Sequence, residues 1–251
     1  MHTTKVGTPV NRRERPSKAA LSRTSIVAAT LKLLDEGVDR LTMRRVAAEL
    51  DTGPASLYVY VRDTEELHAA VLEELLGASG LLDAMQDDGR IWREAIIDLL
   101  MGYTELLLAY PTVARVTAFT RPVGPHYIRL VERLLALLVQ GGVALGEAGW
   151  GVDLLLQQAE TTAAEQGSRT AAEQSADDAA LRTAIQSLVA ANSPDLPHIV
   201  AAGEDLISGE GPERGVWSFE VLLNGLLATP RPNATTPRDD ETRQPRDTAP
   251  R

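Results

Sequence analysis

Arg44, Arg45, Tyr58, Tyr60 and Arg62 crowd into one short stretch, LTMRRVAAELDTGPASLYVYVR over residues 41–62. Guanidinium and phenol groups at such density suit hydrogen bonding to a row of phosphates. Between them stand Ala55, Ser56 and Val59, small enough to let a backbone approach a groove and to meet a thymine methyl or a base edge. Solubility does not explain an exposed run with two Tyr and a Val. Groupings suited to catalysis are weaker. The four His (His2, His68, His126, His198) are scattered, and Glu65 and His68 have the spacing of half a di-metal carboxylate site without a second copy. No nucleophile elbow, Gly-rich phosphate loop or zinc motif is present, and there is no Cys. The expectation is a protein that is not an enzyme and takes no cofactor or metal.

Those side chains need rigid elements behind them. Ser22 is placed to cap a first helix, with Ile26, Val27, Thr30, Leu31 and Leu34 on one face and Gly37 to stop it. Thr42 caps a second helix whose Val46, Ala47 and Leu50 face inward, leaving Arg44 and Arg45 outward. Asp51 sits where the turn calls for a left-handed backbone, which Asp tolerates better than most residues. Gly53 as N-cap and Pro54 at the first position open a third helix over 54–60, with Leu57 and Val61 toward the core. A fourth helix starts at Asp63, with Glu66 as its capping-box partner, and runs to about residue 76 on an apolar face of Leu67, Val71 and Leu75. A loop over 77–89 follows.

Residues 21–76 resemble the N-terminal domain of the tetracycline-repressor (TetR) family of transcription regulators. Ile26, Ala29, Leu33, Leu34 and Gly37 carry the likeness, followed by LTMRRVAAEL over 41–50, LYVYV over 57–61 and EEL over 65–67. The resemblance implies an all-α protein: a three-helix helix-turn-helix unit, then a helical ligand-binding and dimerisation domain. It implies that Thr42 and Arg44 approach DNA, joined on residue type by Arg45. It also implies that Ala55, Ser56 and Val59 face bases and that Tyr58, Tyr60 and Arg62 bind phosphates. Two positions depart from the family. Asp51 stands where many members have Gly, and Thr64 where many have Lys; there a hydroxyl at a helix N-terminus remains as the anion contact.

Net charge divides with the chain. Residues 1–62 carry 11 Lys+Arg against 6 Asp+Glu, net +5, and residues 63–251 carry 14 against 29, net −15, together −10. A basic head on an acidic body fits a DNA-binding module joined to a domain with another task. The expected division is a basic arm over 1–20, in which Arg12, Arg13, Arg15 and Lys18 are placed to reach DNA, a head over 21–62, a body over 63–228, and a Pro- and charge-rich tail over 229–251. No apolar h-region or run of about 20 apolar residues appears, so a cytoplasmic protein without a membrane partner is expected.

Helices are expected in the body at 91–109, after Pro111, at 127–140, 146–166, 176–191, 198–207 and 213–228. By resemblance, those at 146–166 and 213–228 form a four-helix interface in a homodimer, with Trp217, Val221 and Leu222 on one face and Leu154, Leu155 and Ala159 on the other. A small-molecule effector is expected among the middle helices, drawing on Trp92, Tyr103, Tyr110, Phe119, His126, Tyr127, Trp150, Gln157 and Gln158. The reading is a ligand-responsive repressor that binds a palindromic operator in double-stranded DNA as a homodimer. The rival is a helical ligand-binding or adaptor protein whose head has lost DNA binding.

Overall fold

The computed structural model describes residues 20–38, 41–83, 91–167, 171–209 and 211–232. The expected arm residues Arg12, Arg13, Arg15 and Lys18, and nearly all of the expected tail, lie outside them. The described residues form α-helices and one 3-10 turn, with no strand. The head comprises α1 (Arg23–Asp35), α2 (Met43–Glu49) and α3 (Pro54–Leu57). Then follow α4 (Thr64–Ala78), α5 (Trp92–Ala109), α6 (Pro111–Thr117), α7 (Pro125–Gln140) and α8 (Leu145–Gln166). The last are α9 (Ala171–Ala190), α10 (Pro197–Ala202), a 3-10 turn over Gly203–Ile207, and α11 (Gly211–Ala228).

Local sequence sets most boundaries. Ser22 and Ser25 close a reciprocal capping box on α1, and Gly37 leaves it at φ 80°. The hydroxyl of Thr42 accepts from the Arg45 N–H at 3.3 Å to start α2. Asp51 takes φ 48°, the left-handed conformation expected of that turn. The capping box expected at α4 is half made. Asp63 Oδ1 accepts from the Glu66 N–H at 2.7 Å, but the Glu66 carboxylate turns to Arg62, accepting from its N–H at 2.8 Å and its Nε at 3.1 Å. A guanidinium one residue before the cap is the stronger partner.

Several boundaries differ from expectation. α3 closes early: Tyr60 N–H bonds Leu57 at 2.9 Å in a tightened last turn, so Tyr58, Val59 and Tyr60 sit in a turn rather than on a helix. α4 runs through Gly77, because the missing side chain there lets the His126 ring pack close: a Cβ would lie 2.7 Å from its Cε1. α7 begins two residues early, at Pro125, which suits a first helical position. α9 also starts earlier than expected.

One continuous apolar core joins head and body. It runs from Ile26, Val46 and Leu57 through Leu67, Val71 and Leu72 of α4 to Ile96, Leu100, Leu130 and Leu155. α8 packs against α5, α6, α7 and α11, while α9, α10 and the 3-10 turn pack chiefly on one another. α5 and α6 meet at 117°, and no single described helix is long and apolar enough to cross a membrane. An Arg93–Glu220 ion pair ties α5 to α11. The face expected of α8 is corrected: Leu155 and Ala159 are fully buried within the chain, and only Leu154 of that trio is exposed. On α11 Phe219 and Leu223 turn inward while Trp217 (69% exposed) and Val221 turn outward, an i, i+4 pair on the free face.

Candidate nucleic-acid interface and effector cavity

The head presents a single polar and apolar face. Leu57 and Val61 are buried, which orients Ala55, Tyr58, Val59 and Tyr60 to solvent, with Ser56 partly covered. Val59 is 78% exposed, so no contact among the described residues accounts for it. Arg44 and Arg45 on α2 share this exposure, because Met43, Val46 and Ala47 take the inward positions. Thr42 is half-buried, its hydroxyl engaged as the cap of α2. Thr64 is half-buried too, and its carbonyl accepts from His68 Nδ1 at 2.6 Å. Burial among apolar neighbours holds the His68 ring below its ordinary pKa. Arg62 is well exposed yet paired with Glu66, which also meets Arg23 at 3.4 Å. A phosphate at Arg62 would compete with that pair.

The residues expected around an effector do not converge as a set. Phe119, Tyr127 and Gln157 line a cavity of about 530 Å³ between α7, α8 and the segment joining α6 to α7, together with Arg121, Asp153 and Glu160. Tyr103 lies behind this cavity, fully buried, its hydroxyl donating to Glu160 Oε1 at 3.0 Å. The others are elsewhere. Trp92 packs against Gly141. Tyr110 donates to Asp35 Oδ1 at 3.1 Å, bridging body and head. His126 sits against Glu73 and Gly77. Trp150 is exposed beside the cavity, under the Arg231 guanidinium at 5.2 Å. Gln158 bonds Thr162 at 3.2 Å.

Glu160 is the residue the sequence reading missed. It is 5% exposed, on the inward stripe of α8 with Val152, Leu156 and Ala163. Burial pushes its carboxyl up to about 7; the Tyr103 hydrogen bond opposes this, Asp153 adds to it, and Tyr127 and Arg121 oppose it more weakly. The same desolvation raises the Tyr103 and Tyr127 phenols, with the Glu160 charge as a second cause. Asp153 is shared by Arg121 at 3.0 Å and Gln157 at 3.0 Å.

Comparison with known proteins agrees with this architecture. Residues 26–71 match the model of bacterial regulatory proteins of the tetR family, and residues 86–229 match the tetracyclin repressor-like C-terminal domain. The chain is 30% identical over 219 residues to the class D tetracycline repressor of Escherichia coli, covering 83% of this chain and 94% of that protein. It is 32% identical over 129 residues to the class A repressor from transposon 1721, where the match spans 59% of that protein. Among solved structures, SCO7704 of Streptomyces coelicolor, described as a transcription regulator, has a TM-score of 0.69 at 44% identity, covering 86% of this chain and 98% of its own. Apo ActR of the same organism has a TM-score of 0.70 at 32% identity, covering 84% and 96%. A second structure holds ActR in complex with actinorhodin, at a TM-score of 0.69 and 31% identity, covering 84% and 97%. A head that exposes Arg on α2 and Tyr and Val in the turn after α3, over a buried Leu57, and is joined through α4 to a helical body with a cavity thus has its relatives among regulators, and the chain belongs to the TetR family of transcriptional regulators.

Proposed function

We propose that this chain is a ligand-responsive repressor acting in the cytoplasm, a homodimer that binds a palindromic operator and leaves it when a small molecule enters the body. The observation that carries the reading is the exposed face of α2, α3 and the turn after it, where Val59 and two tyrosines stand in water beside Arg44 and Arg45. In this reading residues 21–62 are the head and 63–228 the body. Ala55, Ser56 and Val59 meet base edges; Thr42, Arg44, Arg45, Tyr58, Tyr60, Arg62 and Thr64 meet phosphates or the groove wall. The outward Trp217 and Val221 of α11, with Leu154 of α8, meet their copies across a two-fold axis. Such a dimer sets two recognition elements about 34–36 Å apart, one turn of DNA.

The cavity at Phe119, Tyr127, Gln157 and Glu160 is the effector site of this reading. Its wall includes α7, whose N-terminus is held by Glu73 of α4, and α4 carries the head. An effector that binds better to one position of α7 shifts the spacing of the heads through α4, and must supply the differential affinity to do so. The test is selection of bound fragments from a random DNA pool, followed by titration against salt. A palindromic preference with a steep loss of affinity in salt is expected; a shallow, sequence-indifferent response would leave only a helical ligand-binding protein.

A further inference from the structure

The effector cavity has an uneven chemistry. Its charged side chains are Asp153 and Glu160 from α8 and Arg121 from the segment before α7. Tyr127 of α7 faces Glu160 from within the cavity, and Tyr103 of α5 reaches it from behind. Arg121 is 81% exposed and committed to Asp153 at 3.0 Å, so it stands at the rim, and Gln157 donates to the same carboxylate. Glu160, nearly enclosed, accepts from the Tyr103 hydroxyl and lies near the Tyr127 phenol, with no cation bonded to it among the described residues.

A buried carboxylate without a cation is costly, and an ionised one only accepts hydrogen bonds. A ligand carboxylate would be repelled by Glu160 and Asp153. A ligand carbonyl would find a donor at Glu160 only while that carboxyl keeps its proton. A ligand N–H⁺ gains both the charge and the lone pairs. Phe119, 90% exposed, and Tyr127 offer ring faces beside the carboxylates, where cations and flat rings are both favoured. The volume, about 530 Å³, suits a molecule of a few fused rings.

We propose that the effector of this cavity is a cationic aromatic molecule, a protonated amine on a planar ring system, whose nitrogen pairs with Glu160 and Asp153 while its rings lie against Phe119 and Tyr127. The proposal rests on the reading of this cavity as the effector site. Pairing with the cation draws the proton off Glu160, whose carboxyl burial otherwise holds up near 7. Affinity for the cation therefore rises with pH through neutrality. An effector that instead accepted a hydrogen bond from protonated Glu160 would bind more weakly as pH rises.

The experiment titrates the full-length protein, without DNA, with three tricyclic probes followed by fluorescence: 9-aminoacridine as cation, acridone as neutral isostere and anthracene-9-carboxylate as anion. The cation is expected to bind about tenfold or more tighter than the other two, one unit of log affinity being worth about 1.4 kcal/mol. Glu160→Gln should remove that preference and leave acridone within about twofold. The rise in cation affinity between about pH 6 and about pH 8 should vanish in the same variant. Asp153→Asn, at a partly exposed position, supplies the same comparison if Glu160→Gln does not fold. Equal or tighter binding of acridone or of the carboxylate overturns the proposal, as does full retention of the preference in both variants or binding of none of the probes. Operator binding by the same unliganded sample separates the two levels. Its absence sinks the regulator reading, whereas its presence with acridone preferred sinks only the charge preference.

Discussion

The carboxylate of Glu73 caps the N-terminus of α7 at His126: Oε1 accepts from the His126 N–H at 2.5 Å and lies 2.7 Å from its ring Nδ1, while Oε2 accepts from the Tyr127 N–H at 3.3 Å. Helix starts are normally capped by a residue next in sequence; here the cap comes from α4, more than 50 positions earlier. The chain before α7 explains the arrangement. Gly124 and Pro125 bring no capping side chain, and a Cβ on Gly124 would collide with the Glu73 carboxylate at 2.0 Å. Glu73→Gln should therefore lower stability by about 1 kcal/mol. It should also weaken the effect of a bound effector on operator affinity while leaving unliganded operator binding nearly intact. Thermal melts and operator titrations with and without effector check both parts, and an unchanged effector response would show that α7 and α4 communicate by another route.

Arg44→Ala and Tyr58→Ala each remove an exposed side chain that the core does not use. Operator affinity should fall by about 1–3 kcal/mol for Arg44 with a shallower salt slope, and roughly uniformly across sequences for Tyr58 with the slope unchanged, because a phenol carries no charge. Fluorescence anisotropy at several salt concentrations measures both. Sedimentation should show the same oligomer as the parent.

Trp217 is 69% exposed on α11. Trp217→Asp should weaken self-association by about 2 kcal/mol or more, read as a shift toward monomer in sedimentation velocity. Melting of the protomer at low concentration should hardly change, since Phe219 and Leu223 hold the inward side of the helix.

Asp51 at φ 48° is the one left-handed non-glycine residue in the head's described segments. Asp51→Gly relieves the backbone but gives up the side chain's own contacts, so the net change should be within about 1 kcal/mol. Asp51→Val brings a branched side chain into that conformation with nothing in return and should cost about 1–2 kcal/mol. Urea unfolding of the two variants side by side decides the order.

Glu160 gives stability a particular pH slope. Folded, it holds its proton up to about pH 7; unfolded, it releases it near 4.5. The raised value favours the folded state fully below the lower figure, and the benefit is lost as pH climbs through the upper one. The difference is worth on the order of 3 kcal/mol. Glu160→Gln should flatten this part of the curve and be the more stable protein at about pH 8. Chemical denaturation across pH at fixed protein concentration tests it; a variant as steep as the parent would place the titration elsewhere.

The head was legible because its punctuation is local. Ser22, Gly37, Thr42, Asp51, Gly53 and Pro54 each do in the fold what their chemistry implies within three residues. The cavity was not, because its key group is set by tertiary burial. A single Glu in a helix rich in Gln and Glu reads as a solvated charge. Only its register, four after Leu156 and three before Ala163, hinted that it faces inward. Aromatic type was a poor guide for the same reason. Trp92, Tyr110 and Trp150 share a composition with Phe119 and Tyr127 but not a location. Periodicity likewise grouped Leu154 with Leu155 and Ala159, where one residue of offset separates the surface from the core.

The unbroken core through α4 sets a rule for anyone recombining this protein with a relative. Leu67, Val71, Leu72 and Leu76 are shared property: they belong to the one core, and their helix packs on α1 as well as on α6 and α7. A hybrid sensor joined at Arg62 would set a foreign surface against half of that stripe. Joined after Ala78, it would do the same to the other half. Working hybrids should be those in which α4 is redesigned as a seam, its head-facing residues taken from one parent and its body-facing residues from the other.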